Sequence, residues 1–461
     1  MKAALPADQM GTPMTKRHTN ATLSALLLLP LLACGQAPSV QPPSVILISL
    51  DTLRARHMSI YGYERETTPE LEKFAEQAVV YDTAISSSCW TLTSHASMLS
   101  GFYPEQHGVT EKRRGFSPEV PMIAERLYDR GYQTLSLFYE GWIHERFGMN
   151  SGFDVWRSHM DALEAEEHLR EEFANVSHNR PYFLFLHLFD IHAERLEEPD
   201  DPFYDPPPPF DTMFMADARE QLEGINFDQV REDRDNPVPE DIIPPLTALY
   251  DGNIAWIDSL LGKWFRELDE LGFMENTLVV ITADHGESLA SRGSLKGHGG
   301  LYQEGLHVPL LVRYPDGTPG APAPGTHVTE MVHQVDIAPT ILAGLGMEPA
   351  PELPGYSLLG QRPPDRVVRS SKPPHYARFQ WPHKIFGGEH TRRLFDLVED
   401  PGERNGISRA FEQAQAMEDA FQEEFKDRPW MEWEPIRVKP AAKKTEDMLK
   451  ALGYAGEVDG D

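Results

Sequence analysis

The stretch of sequence that decides the fold is Val45-Ile46-Leu47-Ile48-Ser49-Leu50-Asp51, a nearly continuous apolar run that ends in a carboxylate. An apolar run of this length, rich in β-branched residues, is typical of a strand that is buried on both faces of a parallel sheet. We expect further strands of this type at residues 134–139, 182–187, 278–282 and 308–313.

Helical patterns alternate with these strands. Thr68-Pro69-Glu70 predicts a helix start, with Thr68 as the N-cap and Pro69 in the first turn, and residues 121–130 predict another helix before Gly131. Strands that alternate with helices predict an α/β fold of three layers, in which helices cover both faces of a mostly parallel central sheet.

The composition limits the classes of partner. The chain has 461 residues, enough for one large domain and a smaller one, and its formal charge of −30 argues against binding to nucleic acid. An anionic substrate would have to be attracted by local positive charge, such as that of a bound metal ion.

The N-terminal region predicts export. A basic segment at residues 16–18 precedes a short apolar run at residues 23–32, which ends in Leu31-Leu32-Ala33-Cys34-Gly35. This ending resembles the lipobox of bacterial lipoproteins, which implies that residues 1–34 are a signal peptide and that Cys34 carries a lipid. Residues 35–43 are then a tether, and the protein is anchored to a membrane of the cell envelope outside the cytoplasm. The alternative is an ordinary signal peptide in which the cysteine is incidental.

Polar residues follow three of the predicted strands. They are Asp51, the pair Asp284-His285, and the segment Asp190-Ile191-His192. Because the carboxyl ends of parallel strands lie on one edge of the sheet, these side chains can converge there on a divalent cation. Each of them taken singly would be better explained as a helix cap or a satisfied polar group, and it is the convergence of three strand ends that favours a metal site. His187, inside its strand, fits a buried core histidine better than a ligand.

A further segment contains a candidate nucleophile. It reads Ser88-Cys89-Trp90-Thr91-Leu92-Thr93-Ser94-His95, and Ser97-Met98-Leu99-Ser100-Gly101 follows it. A hydroxyl at the start of a short helix lies in the positive field of that helix end. A neighbouring metal ion would lower its pKa and make it a nucleophile.

The order of these segments resembles the sulfatases of the alkaline phosphatase superfamily. The resemblance extends from residue 44 to the C-terminus, and it implies an alkaline-phosphatase-like catalytic domain at residues 44–365 with a smaller α+β subdomain at residues 366–461. The supporting motifs are Asp51-Thr52-Leu53-Arg54, Ser97 to Gly101, Tyr103-Pro104-Glu105-Gln106-His107-Gly108, Asp284-His285-Gly286-Glu287 and Val335-Asp336-Ile337-Ala338-Pro339-Thr340.

The chain departs from that family at the nucleophile. Sulfatases oxidise the cysteine of a Cys-x-Pro-x-Arg motif to formylglycine, and counting back from Ser97 places Thr91 at that position and His95 at the arginine position. Cys89 lies two residues too early and lacks the proline and arginine, so we expect it to be a small core residue. The lysine of the family that precedes its Tyr-Glu-Glu-like stretch is replaced by His298.

The resemblance implies a metal-dependent hydrolase of a phosphate, phosphonate or sulfate ester whose alcohol belongs to a glycan or a lipid. We expect Thr91 to attack and His298 or His192 to assist the leaving group, and we count His95 among the catalytic candidates. The metal is Ca²⁺ or Zn²⁺, with Mn²⁺ as a third option. One site would use Asp51, Thr91, Asp284 and His285, and a second site would use Asp190, His192 and His298.

Two other functions remain open at this stage. One is a transferase that passes a phospho- or phosphoalcohol group to an envelope glycan, and the other is a binding protein that has lost turnover. An acidic, proline-rich stretch at residues 194–245 predicts a surface insertion that acts as a lid or selects the substrate, although a variable decoration fits it equally well.

The lipoprotein hypothesis predicts the behaviour of Cys34→Ser. Because this change removes the only thiol that could be acylated at the predicted cleavage site, it should abolish labelling with radioactive palmitate and move the protein into the soluble fraction. A Cys34→Ser protein that is still processed normally and pellets with membranes would refute the anchor.

Overall fold

The computed structural model describes residues 41–439 apart from short gaps. The gaps are residues 194–202, 233–235, 296, 297, 299, 349, 389–391, 409, 410, 425 and 427–431. The predicted signal peptide, most of the tether and an amphipathic segment predicted at residues 445–452 therefore lie outside the described residues. In the part of the chain that is described, no helix combines the length and apolarity needed to cross a membrane.

The strands are numbered along the chain. They are β1 (Ser44–Leu50), β2 (Val79–Tyr81), β3 (Ala84–Ile85), β4 (Arg114–Gly115), β5 (Gln133–Tyr139), β6 (Val155–His159), β7 (Tyr182–Leu188), β8 (Thr277–Ala283), β9 (His307–Val308), β10 (Leu310–Arg313), β11 (His327–Val328), β12 (Val332–His333), β13 (Val368–Lys372), β14 (His375–Gln380), β15 (His383–Gly387), β16 (Arg392–Asp396), β17 (Ile407–Ser408) and β18 (Ile436–Arg437).

The helices are numbered in the same way. They are α1 (Pro69–Ala75), α2 (Thr91–Ser100), α3 (Pro104–His107), α4 (Ile123–Tyr128), α5 (Ala162–Phe173), α6 (Ala218–Gln221), α7 (Phe227–Glu232), α8 (Ile243–Glu270), α9 (Gln303–Leu306), α10 (Ile337–Gly344) and α11 (Phe411–Glu424).

The main sheet has the strand order β11-β2-β10-β8-β1-β7-β5-β6. Strand β1 lies near its centre and pairs in parallel with β7 and β8, while β5 is parallel to β7 and β6. Strand β10 is antiparallel to both of its neighbours. The predicted α/β class with a mostly parallel central sheet is therefore confirmed.

The C-terminal part has its own antiparallel sheet of the order β13-β14-β15-β16-β17, and α11 packs on it through Ala414 and Met417. This arrangement confirms the predicted smaller α+β region, which we call the C-terminal subdomain.

Local structure differs from prediction at two elements. Thr68 precedes α1 as expected, but its side chain does not cap the helix. The carboxylate of Asp258 on α8 instead accepts hydrogen bonds from the backbone N–H groups of Glu70 and Leu71. The strand predicted at residues 308–313 is divided at Pro309, which has no N–H to donate to a ladder.

The predicted insertion is not a loop throughout. Its described part contains α6 and α7, and it buries Phe203, Tyr204, Ala218 and Phe227. Its last residues form the start of α8, the 28-residue helix of the core. Since Tyr204 packs on Tyr250 of that helix at 5.3 Å between ring centroids, this region is anchored to the catalytic domain.

Candidate active site

The register of β1, β7 and β8 determines which residues meet at the carboxyl edge of the sheet. Leu50, the last residue of β1, pairs with Leu188 of β7 on one side and with Ala283 of β8 on the other. The next residues, Asp51 and Asp284, therefore emerge beside each other at the carboxyl edge of the sheet, as the sequence predicts.

Two carboxylates are buried together at this edge. Asp51 and Asp284 are fully buried, and one oxygen of each, Oδ1 of Asp51 and Oδ2 of Asp284, has no hydrogen-bond partner. Burial and then the neighbouring Asp284 carboxylate raise the pKa of Asp51 well above its usual range. A buried pair of acids with orphaned oxygens is costly unless a cation lies between them.

A threonine hydroxyl and an imidazole complete the group. The hydroxyl oxygen Oγ1 of Thr91, the first residue of α2, lies 3.2 Å from Nε2 of His285. Because Nδ1 of His285 donates to the backbone carbonyl of Gly286 at 2.9 Å, its Nε2 carries the lone pair that faces the site.

These donors fit a divalent metal ion. The ligand atoms of Asp51, Asp284 and His285 lie within 4.8 Å of one another, as do those of His95, His187 and Asp284. Carboxylate oxygens, imidazole nitrogens and a hydroxyl are the donors that divalent cations take in catalytic sites. The four residues predicted for the first metal site, Asp51, Thr91, Asp284 and His285, therefore lie close to one another.

His187 is a residue whose position the sequence did not reveal. Its ring does not point into an apolar layer of the core, because Nε2 lies 3.2 Å from Oδ2 of Asp51. Burial lowers the pKa of His187 to about 4, so it is neutral near pH 7 and can act as a ligand. The apolar pattern of β7 has no alternation that would show which face each residue occupies.

His95 lies beneath the site with both ring nitrogens engaged. Nδ1 donates to the backbone carbonyl of Thr91, and Nε2 accepts from the hydroxyl of Ser49, each at 2.9 Å. Burial lowers the pKa of His95 to about 3. In this structure the ring supports the first turn of α2 and β1, and a direct catalytic role for it stays a prediction.

His192 and His298 lie beside each other, with ring centroids 4.9 Å apart, and His298 is 5.0 Å from the ring of His285. Nδ1 of His298 lies 3.1 Å from Oε2 of Glu287. Although burial opposes ionisation, the charge of His298 lowers the pKa of Glu287 to about 2. Sequence reasoning placed Glu287 only within a family motif and missed this pairing.

The predicted second metal site is not assembled from its three residues. Oδ1 of Asp190 accepts a hydrogen bond from the backbone N–H of Ala162 and so caps α5. Among the described residues, the two triads able to hold a metal ion do not include Asp190. Glu287 is the carboxylate that pairs with His298, so the structure favours a hydrogen-bonded dyad there.

A small cavity opens beside Thr91 and Asp51. It is also lined by His187, Gly141 and Ile143 and by three aromatic residues, Tyr139, Trp142 and Phe189, which we call the aromatic wall; the rings of Tyr139 and Phe189 stack at 4.1 Å. Of the residues that the structure describes, those lining this cavity include no lysine or arginine.

Comparison with known proteins agrees with this geometry. The sequence profile described as Sulfatase matches residues 43–347, which is most of the chain and spans the whole candidate site. The chain belongs to the sulfatase family. Enzymes of this family generally use a divalent metal, consistent with the ligand group at Asp51, Asp284 and His285.

Individual sulfatases are distant relatives. The chain is 22% identical to the N-acetylglucosamine-6-O-sulfatase of Bacteroides thetaiotaomicron, with 86% of this chain and 89% of that protein aligned. It is 23% identical to an ulvan-active sulfatase of Formosa agariphila, and it spans only 54% of that protein's length.

Solved structures establish the fold independently. The phosphonate monoester hydrolase of Agrobacterium radiobacter superposes with a TM-score of 0.64 at 18% identity, covering 86% of this chain and all of that one. A protein solved with its substrate D-glucosamine-2-N,6-O-disulfate superposes with the same score at 18% identity, covering 91% of this chain and all of that one. The sulfatase-like, alkaline-phosphatase-like fold predicted from the sequence is thereby confirmed.

The ligand group predicts the effect of Asp284→Asn. Because this change removes the charge of the carboxylate between His285 and Asp51, bound metal should be largely lost and activity should fall by more than about 100-fold, with the fold intact. Elemental analysis of the purified protein measures the metal. Asp190→Asn is the matched control and should keep the metal. A metal-free protein with full activity would contradict this assignment.

Proposed function

We propose that this sulfatase-family chain is a metal-dependent ester hydrolase in which Thr91 is the nucleophile. The observation that carries the proposal is the contact between Thr91 Oγ1 and His285 Nε2 at the start of α2, beside Asp51. Cys89, by contrast, is buried in an apolar cluster with Leu301, Leu306 and residues of the C-terminal subdomain.

The reaction follows from these positions. The Thr91 hydroxyl loses its proton to solvent, and its oxygen forms a bond to the phosphorus or sulfur of the ester while the bond from that atom to the alcohol oxygen breaks. A divalent ion held by Asp51, Asp284 and His285 would lower the pKa of the hydroxyl and neutralise the developing charge. Water then attacks the same phosphorus or sulfur, the bond to the Thr91 oxygen breaks, and a proton from the water restores the hydroxyl.

The leaving alcohol needs a proton, and His298 is the group that we assign to supply it. The anionic Glu287 accepts a hydrogen bond from Nδ1 of His298 and orients the ring, and we assign the transfer of a proton to the leaving alcohol to the other ring nitrogen. His192, whose Nδ1 lies 2.8 Å from the carbonyl of Ala193, is the second candidate because it lies next to His298.

The donor set favours Zn²⁺ or Mn²⁺ over Ca²⁺ as the metal. Calcium in proteins takes six to eight oxygen ligands, whereas imidazole suits zinc, and manganese takes carboxylates in smaller sets than calcium needs. The Nε2 lone pair of His285 and the nearby His187 supply nitrogen donors. The lipid anchor and envelope location remain predictions from residues 31–34. The transferase and binding-protein alternatives gain no support, since the relatives described above are sulfatases and a hydrolase.

The assignment of the nucleophile predicts opposite outcomes at two neighbouring residues. Thr91→Ala should lower kcat by about 10³-fold or more, because the covalent step is lost. Cys89→Ala should change kcat by no more than a few-fold, because only a buried sulfur is removed. Steady-state kinetics with a chromogenic aryl ester measures both. Full activity of Thr91→Ala, or an inactive and folded Cys89→Ala, would return the enzyme to the formylglycine mechanism.

The aromatic wall predicts which ester reacts fastest. A sulfate or phosphate oxygen that faces Tyr139, Trp142 and Phe189 would lose hydrogen bonds to water, whereas a phenyl group has none to lose. We expect 4-nitrophenyl phenylphosphonate to exceed 4-nitrophenyl sulfate and 4-nitrophenyl phosphate in kcat/KM by at least about 10-fold. All three release the same alcohol, so the ratio reports only the transferred group.

Trp142→Ala is the matched test of that preference. It should lower kcat/KM for the phenylphosphonate more than for the sulfate, whereas Trp156→Phe, on β6 away from the cavity, should leave the ratio unchanged. A wild-type enzyme that prefers the sulfate would contradict the role given to the wall.

A further inference from the structure

The C-terminal subdomain contacts the chain segment that carries half of the candidate site. This segment consists of the described residues 284–295, 298 and 300–306; it begins with Asp284 and ends in α9, and we call it the site segment. Leu301, Leu306 and Tyr302 of the site segment pack in one apolar cluster with Phe379 and Phe395 of the subdomain. The ring of Tyr302 also lies 4.8 Å from that of Phe386.

Two ion pairs, one in each part, face each other across this contact, and Arg292 of one pair lies 3.7 Å from Oε2 of Glu403 of the other; we call these four side chains the ionic clamp. Lys384 on β15 lies 2.6 Å from Oε1 of Glu403, and both side chains are buried. In the site segment, Nε of Arg292 lies 2.5 Å from Oε1 of Glu304. Two cations and two anions therefore balance within the contact.

The clamp holds the backbone of both parts. Oε2 of Glu403 accepts a hydrogen bond from the backbone N–H of Gln303, the first residue of α9, at 2.6 Å. Arg292 donates to the carbonyl of Gly402 at 3.1 Å, and its guanidinium lies 3.4 Å above the ring of Tyr302. The turn at residues 402–403 is thereby fixed against α9.

Gly286 contacts both α9 and the ring of His285, so the position of α9 affects the position of that ring. The N–H of Gly286 donates to the carbonyl of Gly305 at 3.0 Å, and a Cβ on Gly286 would lie 2.0 Å from the carbonyl oxygen of Glu304. The backbone of Gly286 is therefore in close contact with α9, and it cannot move closer to that helix. Its own carbonyl holds Nδ1 of His285, which sets the lone pair of Nε2 toward Thr91.

We propose that Lys384 and Glu403 are positioning residues for His285, so that the C-terminal subdomain sets the geometry of the metal ligand and of the nucleophile. This inference rests on the function proposed above. Apolar residues of similar volume would hold the subdomain against the site segment equally well. We therefore attribute to the buried ion pair the role of specifying one arrangement of these two parts. The carboxylate of Glu403 does this, since it joins Lys384 to the start of α9.

The test compares Lys384→Met with Arg378→Met. Arg378 is another buried cation of the same subdomain, but it pairs with Glu418 on α11 and not with the site segment. For each full-length purified variant we would measure the dissociation constants of Zn²⁺ and of Mn²⁺ by competition with a chromophoric chelator, together with kcat, KM and Tm.

Lys384→Met should bind the metal about 10-fold or more weakly and lose kcat, as outer-shell changes do, with a smaller change in KM. Arg378→Met should keep the metal affinity and kcat of the wild type, even if its Tm falls by as much as the Tm of Lys384→Met. Lys384→Arg, which keeps the positive charge, should retain most of the wild-type metal affinity and kcat. If Lys384→Met fails to fold, the charge-neutral double variant Lys384→Met/Glu403→Gln replaces it with the same expected losses.

Wild-type metal affinity and kcat in the folded Lys384 variant, or equal losses in both single variants, would overturn the positioning role and leave the proposed function intact. A wild-type protein that binds neither metal would overturn both.

Discussion

The structure depends on the burial of Asp51 and Asp284 next to each other at the carboxyl edge of the main sheet. Two carboxylates in a water-poor interior repel each other, and each has an oxygen that no protein group satisfies. A divalent cation resolves both problems at once. The parallel register of β1 with β7 and β8, the start of α2 and the packing of the C-terminal subdomain can all be understood as the means of maintaining this arrangement.

In the function that we propose, the same pair of acids accounts for the choice of a threonine as nucleophile. Thr91 is an ordinary alcohol, and it lies in the positive field of the α2 terminus beside the ligand group. The Glu287–His298 dyad lies beside His285, with the rings of His298 and His285 5.0 Å apart, and in the proposed reaction it supplies the proton of the alcohol. Tyr139, Trp142 and Phe189 line the cavity beside Thr91, and under the proposed function the shape of the transferred group, more than its charge, would decide selectivity.

Much of this site was predictable from the sequence, because residues that follow buried parallel strands meet at one edge. Asp51, Asp284 and His285 follow from that rule, and Thr91 follows from counting along α2. His187 did not, since a strand that is apolar on both faces hides which face each residue occupies. The Glu287–His298 pair depends on a loop with left-handed backbone at Leu289, Ala290 and His298, and local sequence rules do not predict such a path.

The most direct test is mass spectrometry of the peptide that contains residues 89 and 91. The protein is mixed with 4-nitrophenyl phenylphosphonate, quenched in acid during turnover and digested with a protease. The account predicts a phenylphosphonyl group on Thr91 and an unmodified thiol at Cys89. A formylglycine aldehyde at residue 89, or a covalent adduct at any residue other than Thr91, would contradict it.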